Sequence, residues 1–237
     1  MTRRYSIAEL RGLIAWEYFY YAWGVAHAGS TEQETLRSDA EAMLDSWEGC
    51  HFSHSVILTL PANSDGDDII IGGSRLPMLR QQSSDCLSLA DYVKPLSMGK
   101  ANIGAFAVTM DADMKELSSD DPYTRMLAQV LADRLAEATA EKVSEERPGI
   151  RPAVGYPSMP DMSINFLLDK LIDFSSIGIS LTESGMMIPH ASISGLIFPN
   201  PKAHYFSVGA IGADQLADYA LRRGFTVEEM KKYIKNV

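Results

Sequence analysis

The sequence predicts an α+β fold with a mostly antiparallel sheet. Helical patterns cluster towards both ends of the chain, and strand patterns lie between them. The regular alternation of strand and helix that is typical of a parallel sheet is absent. The 237 residues contain no internal repeat and no low-complexity linker, so we expect one domain over residues 1–237.

Composition argues against several classes of protein. Hydrophobic residues make up 46% of the chain and charged residues 22%, the proportions of an ordinary globular protein. No apolar run reaches the roughly 18 residues of a membrane helix. A net charge of −10 argues against binding nucleic acid through its phosphates. The two cysteines, Cys50 and Cys86, lack CxxC spacing, as is typical of reduced thiols. We therefore expect a cytoplasmic protein that binds neither membrane nor nucleic acid.

The beginning of the chain is predicted to be helical. Aromatic and apolar residues at helical spacing predict a core-packing helix over residues 5–27. A doubled capping-box pattern at Ser30 and Thr31 predicts a second helix over residues 30–48.

Two groups of polar residues resemble parts of metal sites. His51 and His54 form an HxxH pair, but no third ligand is evident nearby. Asp65, Asp67 and Asp68 resemble part of a calcium loop without its spacing. We expect the aspartates to form a solvated turn, and we predict no metal site.

Strand patterns dominate the middle of the chain. Alternation and β-branched residues predict a strand over residues 55–60, which Pro61 ends. Residues 69–71 are predicted to return as the second strand of a hairpin. A short helix is predicted over residues 87–93 and a buried strand over residues 103–109.

The longest helical pattern spans residues 122–146. Asp120 or Asp121 provides its N-cap, and Pro122 suits the first helical position. Three carboxylates stand four residues apart on one face of this helix, namely Asp133, Glu137 and Glu141. Their spacing favours a solvated acidic face, and the alternative is a row of carboxylates lining a groove.

The last part of the chain mixes short helices and strands. Helices are predicted over residues 164–174 and over residues 214–223, the second of which ends at Gly224. The capping box Thr226-Val-Glu-Glu229 opens a last helix that runs to about Lys235. Strands are predicted over residues 179–181, 192–198 and 205–211.

The segment Arg151-Pro-Ala-Val-Gly-Tyr-Pro157 connects the long helix to the last part of the chain. Its prolines exclude a helix interior and a central strand. Gly155 allows another group to approach the backbone, and Tyr156 offers a flat face with a polar tip. One interpretation is a loop whose arginine caps a helix and whose tyrosine packs on the core. The other is an extended cradle for a small zwitterionic ligand that carries an aromatic base.

Catalytic motifs are missing from the sequence. The chain contains no GxSxG, P-loop, GxGxxG or HExxH pattern, and no Asp-x-His-x-x-Gly motif of the kind that binds cobalamin through histidine. Spacing alone does not make Ser184, Asp161 and His190 a catalytic group. No catalytic residue is therefore predicted.

A series of sequence blocks extends over nearly the whole chain. In order, they are Pro61-Ala-Asn63, Gly66-Asp-Asp68, Leu79-Arg-Gln-Gln82, Leu89-Ala-Asp-Tyr92, Ile103-Gly-Ala-Phe-Ala-Val-Thr109, Leu131-Ala-Asp-Arg-Leu-Ala-Glu-Ala138, Gly149-Ile-Arg-Pro-Ala-Val-Gly-Tyr-Pro157, Leu181-Thr-Glu-Ser184, Ala191-Ser-Ile-Ser-Gly195, Tyr205-Phe206 and Asp218-Tyr-Ala220. In this order the blocks resemble the AdoMet-binding activation domain of cobalamin-dependent methionine synthase.

The resemblance implies a C-shaped α+β domain whose twisted antiparallel sheet is flanked by helices. It also implies that AdoMet binds in a shallow groove against a cobalamin-carrying domain. There, an electron from a flavodoxin-type donor and a methyl group from AdoMet convert cob(II)alamin to methylcobalamin. The family's AdoMet contacts correspond here to Arg151, Ala153, Gly155, Tyr156, Tyr205 and Phe206, with Glu137 as a carboxylate near the site.

Three departures from the family pattern bear on ligand binding. The family has an aspartate that contacts the ligand just before the first-helix tryptophan, where this chain has Ala15 before Trp16. After Tyr-Pro the family has Cys-Pro-(Asp/Glu)-His-Thr-Glu-Lys, and this chain has Ser158-Met-Pro-Asp-Met-Ser-Ile164. The connection from the long helix to Arg151 is also short. Losing one charge-assisted hydrogen bond costs about 1.5–3 kcal/mol, or roughly ten- to a hundredfold in affinity. We therefore expect AdoMet binding that is weak for the family.

The resemblance leads to two functional hypotheses. In the first, the chain is a free-standing reactivation subunit that acts in trans on a methionine synthase, because it carries no homocysteine, folate or cobalamin module. In the alternative, it is a docking or corrinoid-covering module that has lost AdoMet binding. Either way the partner is a cobalamin-binding subunit or domain, and the chain is not expected to be catalytic alone.

A flavodoxin-type electron donor is acidic, and so is this chain. Docking between them therefore requires a local basic patch. The candidate residues lie near the C-terminus and are Arg222, Arg223, Lys231, Lys232 and Lys235. The alternative for these residues is a solvated helix face.

Overall fold

The computed structural model describes residues 1–27, 29–83 and 85–234 of the chain. Within these residues, six strands form an antiparallel sheet and two others form a small separate hairpin. In chain order the strands are β1 (Thr2–Tyr5), β2 (Ser53–Asp65), β3 (Asp68–Ile71), β4 (Ser74–Pro77), β5 (Ala101–Met110), β6 (Ser180–Leu181), β7 (Met187–Ile188) and β8 (Ser192–Ile197). The small hairpin is β6–β7.

Helices precede, follow and cover the sheet. They are α1 (Ile7–Arg11), α2 (Trp16–Ala22), α3 (Ser30–Trp47), α4 (Pro122–Glu146), α5 (Ile164–Ile172), α6 (Ala213–Arg223) and α7 (Val227–Met230). Short 3-10 helices lie at Leu89–Tyr92, Leu96–Met98, Lys115–Ser118 and Phe174–Ile177. Across the described residues, no helix combines the length and the apolar character that crossing a membrane demands.

The sheet has the strand order β4-β3-β2-β5-β8, and β1 pairs with β2 as well. Because β5 pairs with β2 from Ser53 to Ala62, β1 and β3 must share the other edge of this long strand. The fold class predicted from the sequence, α+β with a mostly antiparallel sheet flanked by helices, is confirmed.

Both faces of the sheet are covered. Helices α1–α4 pack on one face, where β5 contributes Phe106, Val108 and Met110. On the other face, β5 contributes Ile103, Ala105 and Ala107 to a core shared with α5. Burial on both faces explains why β5 has a nearly continuous apolar sequence. A third, smaller core holds α6 and α7.

Several sequence predictions hold at residue level. Asp121 caps α4 by accepting hydrogen bonds from the backbone amides of Tyr123 and Thr124, and Pro122 is the first helical residue. Helix α6 ends at Gly224 in a left-handed conformation. The capping box at Thr226 opens α7 as predicted, although that helix ends at Met230. Lys235, its predicted end, lies outside the described residues.

The predicted helix over residues 5–27 is wrong. Tyr5 ends strand β1, and Ser6 then caps α1 in a capping box with Glu9. A break of four residues after Arg11 separates α1 from α2. Periodicity did not reveal β1, because an edge strand forms by pairing with β2, about 50 residues away in sequence.

The start of α3 and the end of β2 also differ from prediction. Helix α3 begins at Ser30 with Gly29 in the capping position, so the capping box at Ser30 and Thr31 is wrong. Strand β2 continues through Pro61 instead of ending there. The Pro61 carbonyl accepts from the Gly72 amide. Because the N and O of one residue point to the same side of an antiparallel strand, the position of the missing N–H faces the same side, between the part of β2 that pairs with β1 and the part that pairs with β3. Proline is tolerated there because no ladder partner needs its donor.

Two further segments were assigned wrongly. Residues 87–93 contain a 3-10 helix, Leu89–Tyr92, in place of the predicted helix. Residues 205–211 were predicted to be a strand, but in the structure they form neither a strand nor a helix. Val208 is buried and its amide donates to the Pro157 carbonyl at 2.9 Å. The alternating pattern there reflects packing on the third core and beside the 151–157 segment.

Candidate functional site

The segment after α4 runs along the free edge of β8. Three backbone hydrogen bonds of 2.9–3.1 Å hold it there, from Phe198 to Ile150, from Leu196 to Pro152 and from Val154 to Ser194. The Pro152 carbonyl accepts from Leu196, but Pro152 has no N–H to donate in return, so the segment pairs with β8 through a single hydrogen bond at this position. The Ala153 amide points to the other side and has no acceptor among the described residues.

A glycine in β8 allows this close approach. Gly195 lies opposite Ala153, and a Cβ added to it would lie 2.2 Å from the Pro152 carbonyl oxygen. Gly155 has a different role. It turns the chain with a φ of +85°, and a Cβ there would lie 2.7 Å from Met162 Sδ. Gly155 therefore shapes the segment without lining the groove described below.

Arg151 is held against α4 with its side chain only 11% exposed. Its Nε donates to Ser144 Oγ at 3.0 Å, and its guanidinium lies 5.5 Å from the centre of the Phe106 ring. Nη2 is 3.9 Å from carboxylate oxygens of both Glu137 and Glu141. Within the described residues, neither terminal nitrogen makes a hydrogen bond. The side chain is thus held in one orientation, and its two terminal nitrogens can still donate hydrogen bonds to a bound anion.

Tyr156 and Glu137 form a hydrogen-bonded pair beside Arg151. The tyrosine hydroxyl donates to one Glu137 oxygen, and the other oxygen faces Arg151. Burial raises the pKa of Tyr156 well above its ordinary value, and the Glu137 carboxylate raises it further. The phenol therefore stays protonated at neutral pH and continues to donate.

These residues line a groove between α4, the start of α2 and the 151–158 segment. Its two neighbouring parts, of about 560 and 490 Å³, share Glu137, Arg151 and Tyr156. The first part is also lined by Leu13, Ala15, Tyr18, Arg134 and Glu141. The second is also lined by Pro152, Ala153, Pro157, Ser158, Tyr205, Phe206 and Ser207. The groove thus combines two arginines, two glutamates and three tyrosine rings.

The groove contains six of the seven residues that sequence analysis associated with AdoMet. They are Glu137, Arg151, Ala153, Tyr156, Tyr205 and Phe206, and Gly155 is the exception. The tyrosine at 205 is joined to the segment through its hydroxyl, which accepts from the Arg151 amide at 2.9 Å. Since 205–211 is not a strand, Tyr205 is free of the sheet and lies over the groove.

The sequence did not indicate Tyr18 as a lining residue, whereas it marked Ala15 as the position of a ligand contact in the family. Tyr18 was assigned to a core-packing helix, but it is exposed at the groove, with the Arg134 guanidinium 6.0 Å from its ring centre. Ala15 occupies the capping position of α2, and its side chain makes no capping hydrogen bond. The break between α1 and α2 exposes both positions. A continuous helical pattern concealed this break.

The acidic face of α4 lines grooves on both sides of Tyr156. Glu137 and Glu141 border the groove at Arg151, and Asp133 lies in an adjoining depression near His190, 3.3 Å from its Nδ1. Burial raises the pKa of Asp133, although His190 opposes the shift. The structure therefore favours the second interpretation of this row, that of carboxylates lining a groove.

The predicted basic patch near the C-terminus is largely wrong. Arg222 pairs with Asp68 and Asp218, and Arg223 pairs with Asp161. Both side chains are mostly buried, so they are unavailable to a partner. Lys231 and Lys232 are exposed, and Lys235 lies outside the described residues.

Comparison with known proteins places the chain in a family. A sequence model of the family described as "Vitamin B12 dependent methionine synthase, activation domain" matches residues 6–148 and 143–224. The crystal structure of the MetH reactivation domain bound to AdoHcy is similar, with a TM-score of 0.88 and 32% sequence identity. That match covers 98% of this chain and 88% of the other. The chain therefore belongs to the family of activation domains of vitamin B12-dependent methionine synthases.

Proposed function

We propose that the Arg151 groove binds AdoMet and that the domain supports the reductive methylation of cob(II)alamin carried by a methionine synthase partner. The observation that carries the proposal is the oriented guanidinium of Arg151, whose terminal nitrogens are open to a groove beside the Tyr156–Glu137 pair. The related MetH domain binds AdoHcy, which is AdoMet without its transferable methyl group.

Each part of AdoMet has a suitable partner in this groove. The carboxylate of its methionine part fits the two terminal nitrogens of Arg151. The unpaired Ala153 amide can donate to the ligand, and the rings of Tyr156 and Tyr205 offer flat faces to adenine. The positive sulfonium is favoured by Glu137, whose charge is only partly balanced by Arg151 at 3.9 Å.

The residues of this chain bind and orient the methyl donor. AdoMet would supply an electrophilic methyl group, and its transfer to cobalamin reduced by a flavodoxin-type donor would leave AdoHcy. Tyr156 remains a neutral donor that holds Glu137 in place, because its pKa is raised. Electron transfer and the cobalamin belong to the partners, so the domain alone is not expected to turn over.

Calorimetric titration with AdoMet tests the binding site. We expect the unaltered chain to bind, and Arg151→Gln to bind roughly ten- to a hundredfold more weakly, since one charge-assisted pair is lost. The matched control is Arg3→Gln, which removes an exposed arginine that pairs with Glu146 at the end of α4, away from the groove. Thermal unfolding of each variant separates ligand loss from misfolding. Equal AdoMet affinity in Arg151→Gln and the unaltered chain would overturn the proposed site.

The action in trans stays a prediction and has its own test. The purified chain is added to a cobalamin-bound methionine synthase that lacks an activation domain, together with AdoMet and a reductant. Conversion of cob(II)alamin to methylcobalamin, followed by its absorption spectrum, supports the in-trans arrangement. If conversion requires the two parts in one polypeptide, this arrangement is wrong while AdoMet binding stands.

Ala15 favours the second candidate function, a docking module without AdoMet binding. It lies in the groove where the family has a ligand-contacting aspartate, and it supplies neither charge nor hydrogen bond. This alternative predicts partner binding that AdoMet leaves unchanged and that Arg151→Gln does not weaken. An AdoMet-dependent change in the affinity for the cobalamin protein would rule it out.

A further inference from the structure

A second polar cluster lies where two connections of the fold meet. His51 belongs to the turn between α3 and β2, and Asp111 and Asp113 follow the end of β5. Ligand atoms of these three side chains all lie within 4.8 Å of one another. Among the described residues that line the Arg151 groove, none belongs to this cluster. His51 and the two aspartates are about 60 residues apart in the sequence. The sequence pattern around His51 therefore did not indicate a third ligand.

The geometry at His51 fits an ion better than a hydrogen bond. Its side chain is 18% exposed, and Nδ1 itself is buried without a hydrogen-bond partner among the described residues. The nearest Asp113 oxygen is 3.6 Å away, too long for a hydrogen bond. Two ligand atoms that each lie about 2.0–2.1 Å from a tetrahedral ion are separated by about 3.4 Å. The observed separation therefore leaves room for a small cation between the two side chains.

The surrounding residues hold two of the three ligands in place. The His51 ring stands perpendicular to the buried Trp47 ring, and the His51 amide donates to the Trp47 carbonyl at 2.9 Å. One Asp111 oxygen accepts from the Phe52 amide at 2.8 Å, and the other lies 2.7 Å from His54 Nε2. Each carboxylate oxygen has two lone pairs, so Asp111 can still bind an ion. Outer hydrogen bonds of this kind orient the ligands of metal sites.

We propose that His51, Asp111 and Asp113 bind a divalent transition-metal ion of the zinc class, with water completing a tetrahedral shell. One imidazole and two carboxylates suit Zn²⁺, whereas Mg²⁺ and Ca²⁺ select oxygen ligands. His54 is a positioning residue that orients Asp111. The ion joins the α3–β2 turn to the β5 end, and through it the N-terminal helices to the sheet.

Zn²⁺ binding to metal-free protein is measured by calorimetry, and Co²⁺ reports four-coordinate geometry through its visible absorption. We expect one equivalent to bind, and a hundredfold excess over Kd to raise Tm by about 5–10 °C. His51→Gln and Asp113→Asn should each weaken binding at least tenfold and abolish the Co²⁺ bands. His54→Gln should weaken binding about tenfold and shift these bands, because Asp111 loses its orienting partner.

Two control variants make the result specific. Asp113 is 86% exposed, so Asp113→Asn should fold normally, and Asp120→Asn is the matched exposed control. Cys50→Ser removes the neighbouring free thiol and should leave Zn²⁺ affinity unchanged. The proposal is wrong if millimolar Zn²⁺ does not bind, if Asp113→Asn binds as well as the unaltered chain, or if Cys50→Ser abolishes binding. AdoMet titrations serve as a separate readout, since Asp113→Asn leaves the Arg151 groove intact.

Discussion

Single residues set the properties of the Arg151 groove. Gly195 allows the 150–154 segment to reach β8, because any side chain would meet the Pro152 carbonyl. Arg151 is oriented by Ser144 through one nitrogen and keeps two for an anion. Ala15 stands at a position where a polar residue would serve twice, as the cap of α2 and as a ligand contact. The groove therefore has no polar group at position 15, where the proposed AdoMet site would use one.

Replacing Ala15 tests this deficiency. Ala15→Asp should stabilise the fold by about 0.5–2 kcal/mol, because its carboxylate caps the first turn of α2. It should also tighten AdoMet binding about tenfold or more by adding a charge-assisted hydrogen bond. Denaturant unfolding and calorimetry measure the two effects.

Ala15→Asn is the control for that variant. Asparagine caps a helix as well as aspartate does but carries no charge. We expect it to match Ala15→Asp in stability and to gain less AdoMet affinity. Equal AdoMet affinity in all three proteins would show that position 15 does not contact the ligand.

At the scale of elements, a buried charge cluster anchors the C-terminal helices. Asp161 is 1% exposed, and it accepts from the Tyr219 hydroxyl at 2.8 Å and from Arg223 Nε at 3.2 Å. Burial raises the pKa of Tyr219 well above its ordinary value, so it remains a donor. Helix α6 is thereby fixed to the segment that leads from Tyr156 to α5.

Removing the arginine of this cluster should destabilise the protein strongly. Arg223→Met leaves Asp161 as a buried charge without its cation, at a cost of about 3–5 kcal/mol. Hydrogen exchange should show faster opening of α6 and α7 than of β2 and β5. Adding Asp161→Asn to this variant should restore part of the stability. Lys231→Met, an exposed control directly after α7, should change the free energy of unfolding little. A similar loss in both single variants would contradict the anchoring role.

At the scale of the whole molecule, salt bridges tie separate elements together and make stability depend on pH. Glu41 of α3 accepts hydrogen bonds from Arg11 of α1 and from Arg37. Burial tends to raise the pKa of Glu41, but the two arginines outweigh it and hold the pKa below its usual range. Asp91 behaves in the same way, because Arg80 and the Ser88 amide outweigh its burial.

These lowered pKa values predict loss of stability in acid. A carboxylate with a depressed folded-state pKa contributes its full stabilisation above the unfolded value, which is about 4, and loses it as pH falls through the folded-state pKa. We expect the free energy of unfolding to be flat from pH 7 to about 5 and to decrease below that. Urea unfolding at each pH measures it. Glu41→Gln should flatten part of the slope, whereas Glu32→Gln, an exposed residue of the same helix, should not. Identical slopes in the two variants would assign the pH dependence to other groups.

Local sequence signals predicted the elements whose structure is decided locally. Asp121 and Pro122 marked the start of α4, and Gly224 marked the end of α6, because caps and turns depend on a few adjacent residues. The predictions failed where distant pairing decides. Strand β1 exists because it pairs with β2, and β2 passes through Pro61 because no partner needs its donor.

Sequence patterns were enough to predict the α+β class, the long helix α4, the β2–β3 hairpin and, through the ordered blocks, the family. Which residues come together could be seen only in the folded chain. In the fold, Tyr18 and Ala15 line the same groove as Arg151, and Tyr205, which was predicted to lie in a strand, also lines this groove. Asp111 and Asp113 lie beside His51. The difference lies in the distance along the chain over which each interaction acts. Propensity, capping and periodicity act over a few residues, whereas burial and strand pairing select contacts between residues that are far apart in sequence.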